Sequence, residues 1–572
     1  MRTRLWRDAS SAVVVLGLCL MSCSTRKPAT SAADFDKLVD DFVYGTLALS
    51  PVSATATGYH QHNGVSLDQA LDDLSPAGIE AGRKFVQEIS QRLAALDKAT
   101  LDKEQRADIG IIKNAIGVTL LDLNDIQSYK HNPTIYVELV GNALYTPYIL
   151  NYAPKEQRFG HIIQRLEKVP ALCEQAKGNL VDSPDVWNRV AREENDGNID
   201  LIDKTLREEV PESQKANYDE AAKSALAALK DFNTWLEKTL SQKKSDWRLG
   251  KERYARKFDY TLATGKTPEQ MLALAEADLK ATRENMAKRA APKTVKQALD
   301  EIAKQHATPD TYMGEAKKAL AQATVFVRDK DLLTLPHREN LDVVETPVFM
   351  RGIYGVGGFN AAPALEPELG AFYWVTPIPK TWPKERIDSK LREYNFYGIQ
   401  HLTIHEAMPG HYVQLEYAND VQPKSRRLLR NVFSSGTYAE GWAVYTQQMM
   451  TDEGYLNNDP ALWMTFNKQI LRVLANTILD IRLQTMGMTD QEALDLMIKE
   501  TYQEKEEATA KLQRAQLSSC QLPTYYSGWK GWLEVRAREK QRKGAGFKLK
   551  DFHERALKES AVPLPVLDTL LQ

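Results

Sequence analysis

The sequence predicts a mainly α-helical protein, and three observations carry that prediction. Ala, Leu, Lys, Glu and Gln dominate long stretches of the 572 residues, and such side chains lose little rotamer freedom in a helix. Apolar residues recur at three- and four-residue intervals, as in Ile79, Phe85, Ile89, Leu93 and Leu96. Start signals stand ahead of these runs: Ser75-Pro76, then Thr267-Pro268-Glu269-Gln270 with a cap, a first-turn proline and a capping-box Gln, then Thr489 with Glu492.

In chain order, MRTRLWRDASSAVVVLGLCLMSC carries three arginines, an apolar run from Ala12 to Met21, and Ser22-Cys23. That is the layout of a secretory leader, too short for a comfortable membrane span. Leu20-Met21-Ser22-Cys23 resembles a bacterial lipobox, whose cysteine is lipidated and becomes the first mature residue. Simple secretion and an uncleaved anchor helix stay open as alternatives. Ser24, rather than Asp, after Cys23 points to lipid anchoring at the periplasmic face of the outer membrane. The expected layout is a leader over 1–22, a tether over 23–34 and one large folded body over 35–572.

Helices are expected at roughly 77–98, 100–125, 155–180, 216–242, 268–290, 296–305, 311–328, 390–408, 438–452, 460–486 and 490–514. Another, amphipathic one lies in FKLKDFHERALKES, where His553 reads as a surface or capping residue. Between 330 and 385 the character changes. Val343, Val344, Val348 and Phe349, then AFYWVT over 371–376, read as short strands, with Gly355, Gly357 and Gly358 as turn residues. Cys173 and Cys520 permit one disulfide in an oxidising compartment without establishing it. With 74 basic and 76 acidic residues, net −2, nucleic acid is not an expected partner. The basic run Arg536, Arg538, Lys540, Arg542 and Lys543 reads as a solvated helix face.

The chemistry concentrates in HLTIHEAMPGHYVQ, His401 to Gln414, which holds three of the ten histidines. Neutral imidazoles hold a zinc ion and an adjacent carboxylate takes a proton from its water, which is the grouping a hydrolytic site needs. In the common H-E-x-x-H pattern the two ligands lie four apart on one helical face. Here the next His after His405-Glu406 is His411. On an unbroken helix that spacing turns it about 120° away and displaces it by roughly 9 Å. Pro409 disfavours helical geometry at Met408 and Gly410 accepts positive φ, so the chain is expected to kink and swing His411 back. His401 and His405, four apart, form a competing pair that needs no kink.

HEAMPGHYVQ resembles the H-E-x-x-P-G-H-x-x-Q segment of a bacterial family catalogued as domain of unknown function 885, grouped with the zincin metallopeptidases. TYAEGWAVY resembles the family's E-G-W-A-x-Y helix, and CQLPTYYSG its segment with Gln and Tyr ahead of a Gly. The resemblance runs from about residue 35 to the C-terminus. It implies that His405, His411 and Glu440 hold Zn2+, with Glu406 as general base, and it leaves His401 out. Gln414 follows as a candidate donor behind the ligands. The resemblance sets Tyr525 on the family tyrosine, a candidate donor to the developing oxyanion. Cys520 stands where the family has Gly and Leu522-Pro523 follows Gln521, so Tyr526 stays open as its alternative.

A large helical zincin-like fold is implied, with a deep cleft and a small β-element near the active site. Its N-terminal helical half would cover about 35–250 and its metal-site half about 251–572. Residues 371–376 would serve as an edge strand pairing with substrate backbone, or else as a plain structural hairpin. The expected function is zinc-dependent hydrolysis of short peptides by metal-activated water, in an envelope protein held by lipid on Cys23. A catalytically inactive binding or scaffold lipoprotein is one alternative; a zinc amidase or esterase is the other.

Overall fold

The computed structural model describes residues 32–96, 101–351 and 354–572. The leader, Cys23 and most of the expected tether lie outside the described residues. The first helix, Ala32–Leu49, begins within the stretch read as tether. The described chain is mainly helical, with a short hairpin at Gln61–His62 and Val65–Ser66 and one three-stranded sheet. Among the described residues no helix is long and apolar enough to cross a membrane.

Local chemistry sets the helix starts. Asp102, Thr267, Thr294 and Thr489 each form a complete capping box with the Gln or Glu three residues on, an arrangement worth about 1 kcal/mol per cap. Three expected helices are divided. Residues 155–180 break at Glu167-Lys168, and Val169–Asn179 restarts with Pro170 in its first turn. Residues 390–408 break at Tyr394-Asn395, where the Asn395 side chain accepts from the Tyr397 and Gly398 amides and starts Phe396–Glu406. Residues 490–514 pass through a π-helical turn at Leu496–Glu500 before Lys505–Leu517 begins.

The helix Asp185–Asp200 was not expected, because its sequence, DVWNRVAREENDGNID, is too polar to show an apolar stripe. Its buried face is made of amides instead. Asn188 donates to Leu236 O at 3.0 Å, Asn195 to Leu229 O at 2.9 Å and Asn198 to Val137 O at 2.8 Å, so these three amide nitrogens are satisfied across the packing surface.

One apolar core joins residues from Phe35 to Ile116 with residues from Tyr312 to Leu571, and a second runs from Tyr136 to Leu240. Cys173 lies in the second core and Cys520 elsewhere, and both are free, buried thiols. His553 corrects the sequence reading. It is fully buried on the helix Leu549–Lys558, its Nδ1 donating to Leu332 O and its Nε2 accepting from Tyr445 Oη, both at 2.8 Å.

The sheet brings a second correction. Ala371–Val375 is the central strand, parallel to Leu341–Glu345 on one side and antiparallel to Gly357–Asn360 on the other. All five of its residues are buried, so it has no free edge to offer a ligand. The free edges belong to the two outer strands, Leu341–Glu345 and Gly357–Asn360, and the glycines of the latter are strand residues rather than turn residues. Gly357 is required there, since a Cβ would lie 2.3 Å from Trp374 O. Val348–Met350 is a single 3-10 turn and not a strand.

Candidate metal centre

His405 and Glu406 close the helix Phe396–Glu406. The chain then folds back through a cis Met408-Pro409 peptide and re-enters a helix at His411, which spans His411–Ala418. Gly410 has φ −73°, so positive φ is not what the turn asks of it. What it needs is the missing side chain: a Cβ on Gly410 would sit 1.9 Å from His405 O and 2.3 Å from Ile404 O. The turn is pinned from outside by Trp442, whose Nε1 donates to Pro409 O at 2.9 Å and Gly410 O at 3.2 Å.

Trp442 lies on the helix Gly436–Asp452, which Ser435 caps by accepting from the Tyr438 amide. The same helix presents Glu440. It crosses Pro523–Lys543 at a glycine pair, where a Cβ on Gly441 would meet Gly528 C at 2.3 Å and one on Gly528 would meet Thr437 O at 2.1 Å. That close crossing brings Tyr525 beside Glu440. Gln521 joins the two, its Nε2 donating at 3.2 Å to Glu440 Oε1 and to Tyr525 Oη.

The result is a convergence that primary structure scatters over three helices. One ligand atom from each of His405, His411 and Glu440 lies within 4.8 Å of the other two, and this is the one such group among the described residues. Glu440 Oε2 stands 3.4 Å from His405 Nε2 and 3.5 Å from His411 Nε2. It is buried with no hydrogen bond of its own, because those contacts lack hydrogen-bond geometry. The imidazole planes are nearly perpendicular, at 87°. Ligand bonds of about 2.1 Å at tetrahedral angles set donor atoms about 3.4 Å apart, and the two spacings from Glu440 Oε2 match that value. Burial pushes the Glu440 pKa up, but His405 and His411 outweigh it and hold the carboxyl well below its ordinary range.

His401 is not in this group. It is fully buried, its ring tilted at 41° against that of Phe466, and its Nε2 lies 3.2 Å from Leu462 O; burial pushes its pKa down to about 4. Gln414, the candidate donor behind the ligands, has a buried amide with no hydrogen-bond partner among the described residues. Tyr525 faces the cluster, its ring 6.1 Å from that of His405, whereas Tyr526 points away and donates to Asp278 at 2.8 Å. Burial raises the Tyr525 pKa to about 12, so the phenol keeps its proton. Glu406 makes no hydrogen bond or ion pair among the described residues and faces a cavity of about 550 Å³. Gly357, Gly358 and Phe359 of the free-edged strand Gly357–Asn360 also line that cavity, with Glu138 and Glu194 among the residues of its other walls.

The family model described as "Bacterial protein of unknown function (DUF885)" matches residues 51–571. The chain belongs to that family. A solved structure from Shewanella oneidensis, described as a candidate lipoprotein of unknown function, is 30% identical, with a TM-score of 0.77 over 94% of this chain and 99% of that one. A candidate lipoprotein from Colwellia psychrerythraea shares the fold at 18% identity, with a TM-score of 0.78 over 94% and 98%. No curated protein matches this DUF885 sequence.

Proposed function

We propose that this DUF885 protein is a zincin-like metallopeptidase of short peptides. His405, His411 and Glu440 would hold Zn2+, with the active site in a cleft between helical halves. The observation that carries the reading is the orphaned Glu440 oxygen, set at tetrahedral ligand spacing from two imidazole nitrogens. When bound, such an ion lowers the pKa of a coordinated water to about 7 and polarises a carbonyl.

The protein's own groups supply the rest. Glu406, beside His405 and without a partner, takes the proton of the attacking water and passes it to the leaving amine. Tyr525, protonated and steered by Gln521 and Arg514, donates to the developing oxyanion. The exposed edge of Gly357–Asn360 offers backbone groups to an extended peptide. The description of the relatives as candidate lipoproteins supports an envelope protein held by lipid on Cys23.

Metal content and peptide cleavage mapped by mass spectrometry test this, with wild type and Glu406→Gln side by side. The variant is expected to retain its metal and lose nearly all turnover. Equal turnover by both proteins would remove Glu406 from the chemistry, and a metal-free wild type that refuses zinc would remove the site.

A further inference from the structure

A second, smaller cavity of about 160 Å³ adjoins the cluster and shares His405, Glu406, Arg514 and Tyr525 with the larger one. Its remaining wall is unusually cationic, including Lys390, Arg472 and Lys511 with one acid, Glu507. Glu507 is already engaged by Arg472 and, at 3.4 Å, by Lys390. Lys511 is 6% exposed and makes no hydrogen bond or ion pair among the described residues. Among the described residues the Arg514 guanidinium hydrogen-bonds only to neutral oxygens, Gln521 Oε1 and Tyr525 Oη, both at 3.2 Å. Four basic side chains, Lys390, Arg472, Lys511 and Arg514, thus face two carboxylates, Glu406 and Glu507, so the wall holds more basic groups than its own acids can match.

Burying an ammonium without a partner is costly. Burial, reinforced by Arg472 and Arg514, accordingly drives the Lys511 pKa well below that of an ordinary lysine. Such a site is completed by an anion entering from the cavity. The volume is close to the roughly 150 Å³ of a cavity that accepts benzene, which suits one residue and no more. Glu507 seated between Arg472 and Lys390 shows that this wall recognises a carboxylate.

We propose that Lys511 and Arg514 form a carboxylate-binding site. Resting on the peptidase reading above, we assign its ligand as the C-terminal carboxylate of a short peptide, one residue beyond the bond that is cleaved. An Asp or Glu side chain would bring the same chemistry from another source, and the test separates the two.

Zinc-loaded Glu406→Gln protein is titrated calorimetrically with three probes: N-acetyl-tetra-alanine as the free acid, the same peptide as its amide, and the amide with its last Ala replaced by Glu. The free acid is expected to bind at least tenfold more tightly than either amide. Lys511→Met in the same background is expected to cut that preference below threefold. Equal affinity of acid and neutral amide in the parent overturns the site without recourse to any Lys511 variant. A Glu-bearing amide that binds as tightly as the acid overturns the assignment to the peptide terminus. Cleavage of these probes by wild type, read by mass spectrometry, keeps the two proposals apart. Loss of a single residue from the acid is expected. Cleavage without acid preference sinks the carboxylate site and leaves the peptidase standing; acid preference without any cleavage does the reverse.

Discussion

Gly410→Ala tests the turn that brings the cluster together. The added Cβ would lie 1.9 Å from His405 O, and ordinary contact begins at 3.4 Å, so the chain must give by about 1.5 Å, the difference between the two. Ligand distances in metal sites hold to about 0.2 Å, which leaves His411 unable to share an ion with His405 and Glu440. Zinc affinity is expected to fall at least 100-fold, about 2.7 kcal/mol. The metal-free protein is expected to lose a further ~1–3 kcal/mol from forced overlap. Gly82→Ala is the control, since a Cβ there meets nothing within 4 Å and its helical position predicts a gain of about 0.5–1 kcal/mol. Competition against a chromophoric chelator reads the first quantity, and urea unfolding of apo protein the second. Gly410→Ala with wild-type zinc affinity would refute the argument that the missing side chain allows the ligands to meet.

Two further predictions concern pH. Burial pushes the pKa values of His401 and His553 down to about 4, against about 6.5 unfolded. Between pH 6.5 and 4 the unfolded chain therefore binds protons that the native state refuses, and stability is lost as pH falls through that window. The loss is on the order of 3 kcal/mol per histidine. Urea midpoints should drop between pH 7 and 4.5, and His553→Gln should flatten the drop by about half; a slope untouched by that change contradicts the assignment. Glu194 works in the opposite sense. Burial, then Glu138 and Glu193, raises its pKa to about 9, so the native state keeps a proton that the unfolded chain has already released. Its contribution is lost as pH rises from about 4.5 towards 9. Glu194→Gln should be more stable than wild type at pH 8, on the order of 5 kcal/mol, and no different near pH 4.5; equal melting at pH 8 would count against it.

Local signals were legible in the sequence wherever a residue's role depends on its near neighbours. Thr267 with Gln270 and Thr489 with Glu492 announce their helices because both partners lie within one turn. His405, Glu406 and His411 stand out by composition and by the Pro-Gly between them. Polar helices were hidden: Asp185–Asp200 is held by amides whose acceptors lie on other helices, which no periodicity encodes. Lys511 and Arg514 carried no signal of their own in the sequence, since the wall they complete also needs Lys390 and Arg472 from other helices.

The amino-acid order by itself determined the helical class, the presence of a His-Glu-His grouping and the need for a break within it. Tertiary structure decided which atoms meet. Trp442 holds the turn, the Gly441–Gly528 crossing sets Tyr525 rather than Tyr526 beside Glu440, and the sheet order puts Ala371–Val375 in the centre and leaves the free edges to Leu341–Glu345 and Gly357–Asn360. Each of these is a contact between segments distant in sequence, fixed by how closely two backbones can approach, and that distance is a property of the packed molecule alone.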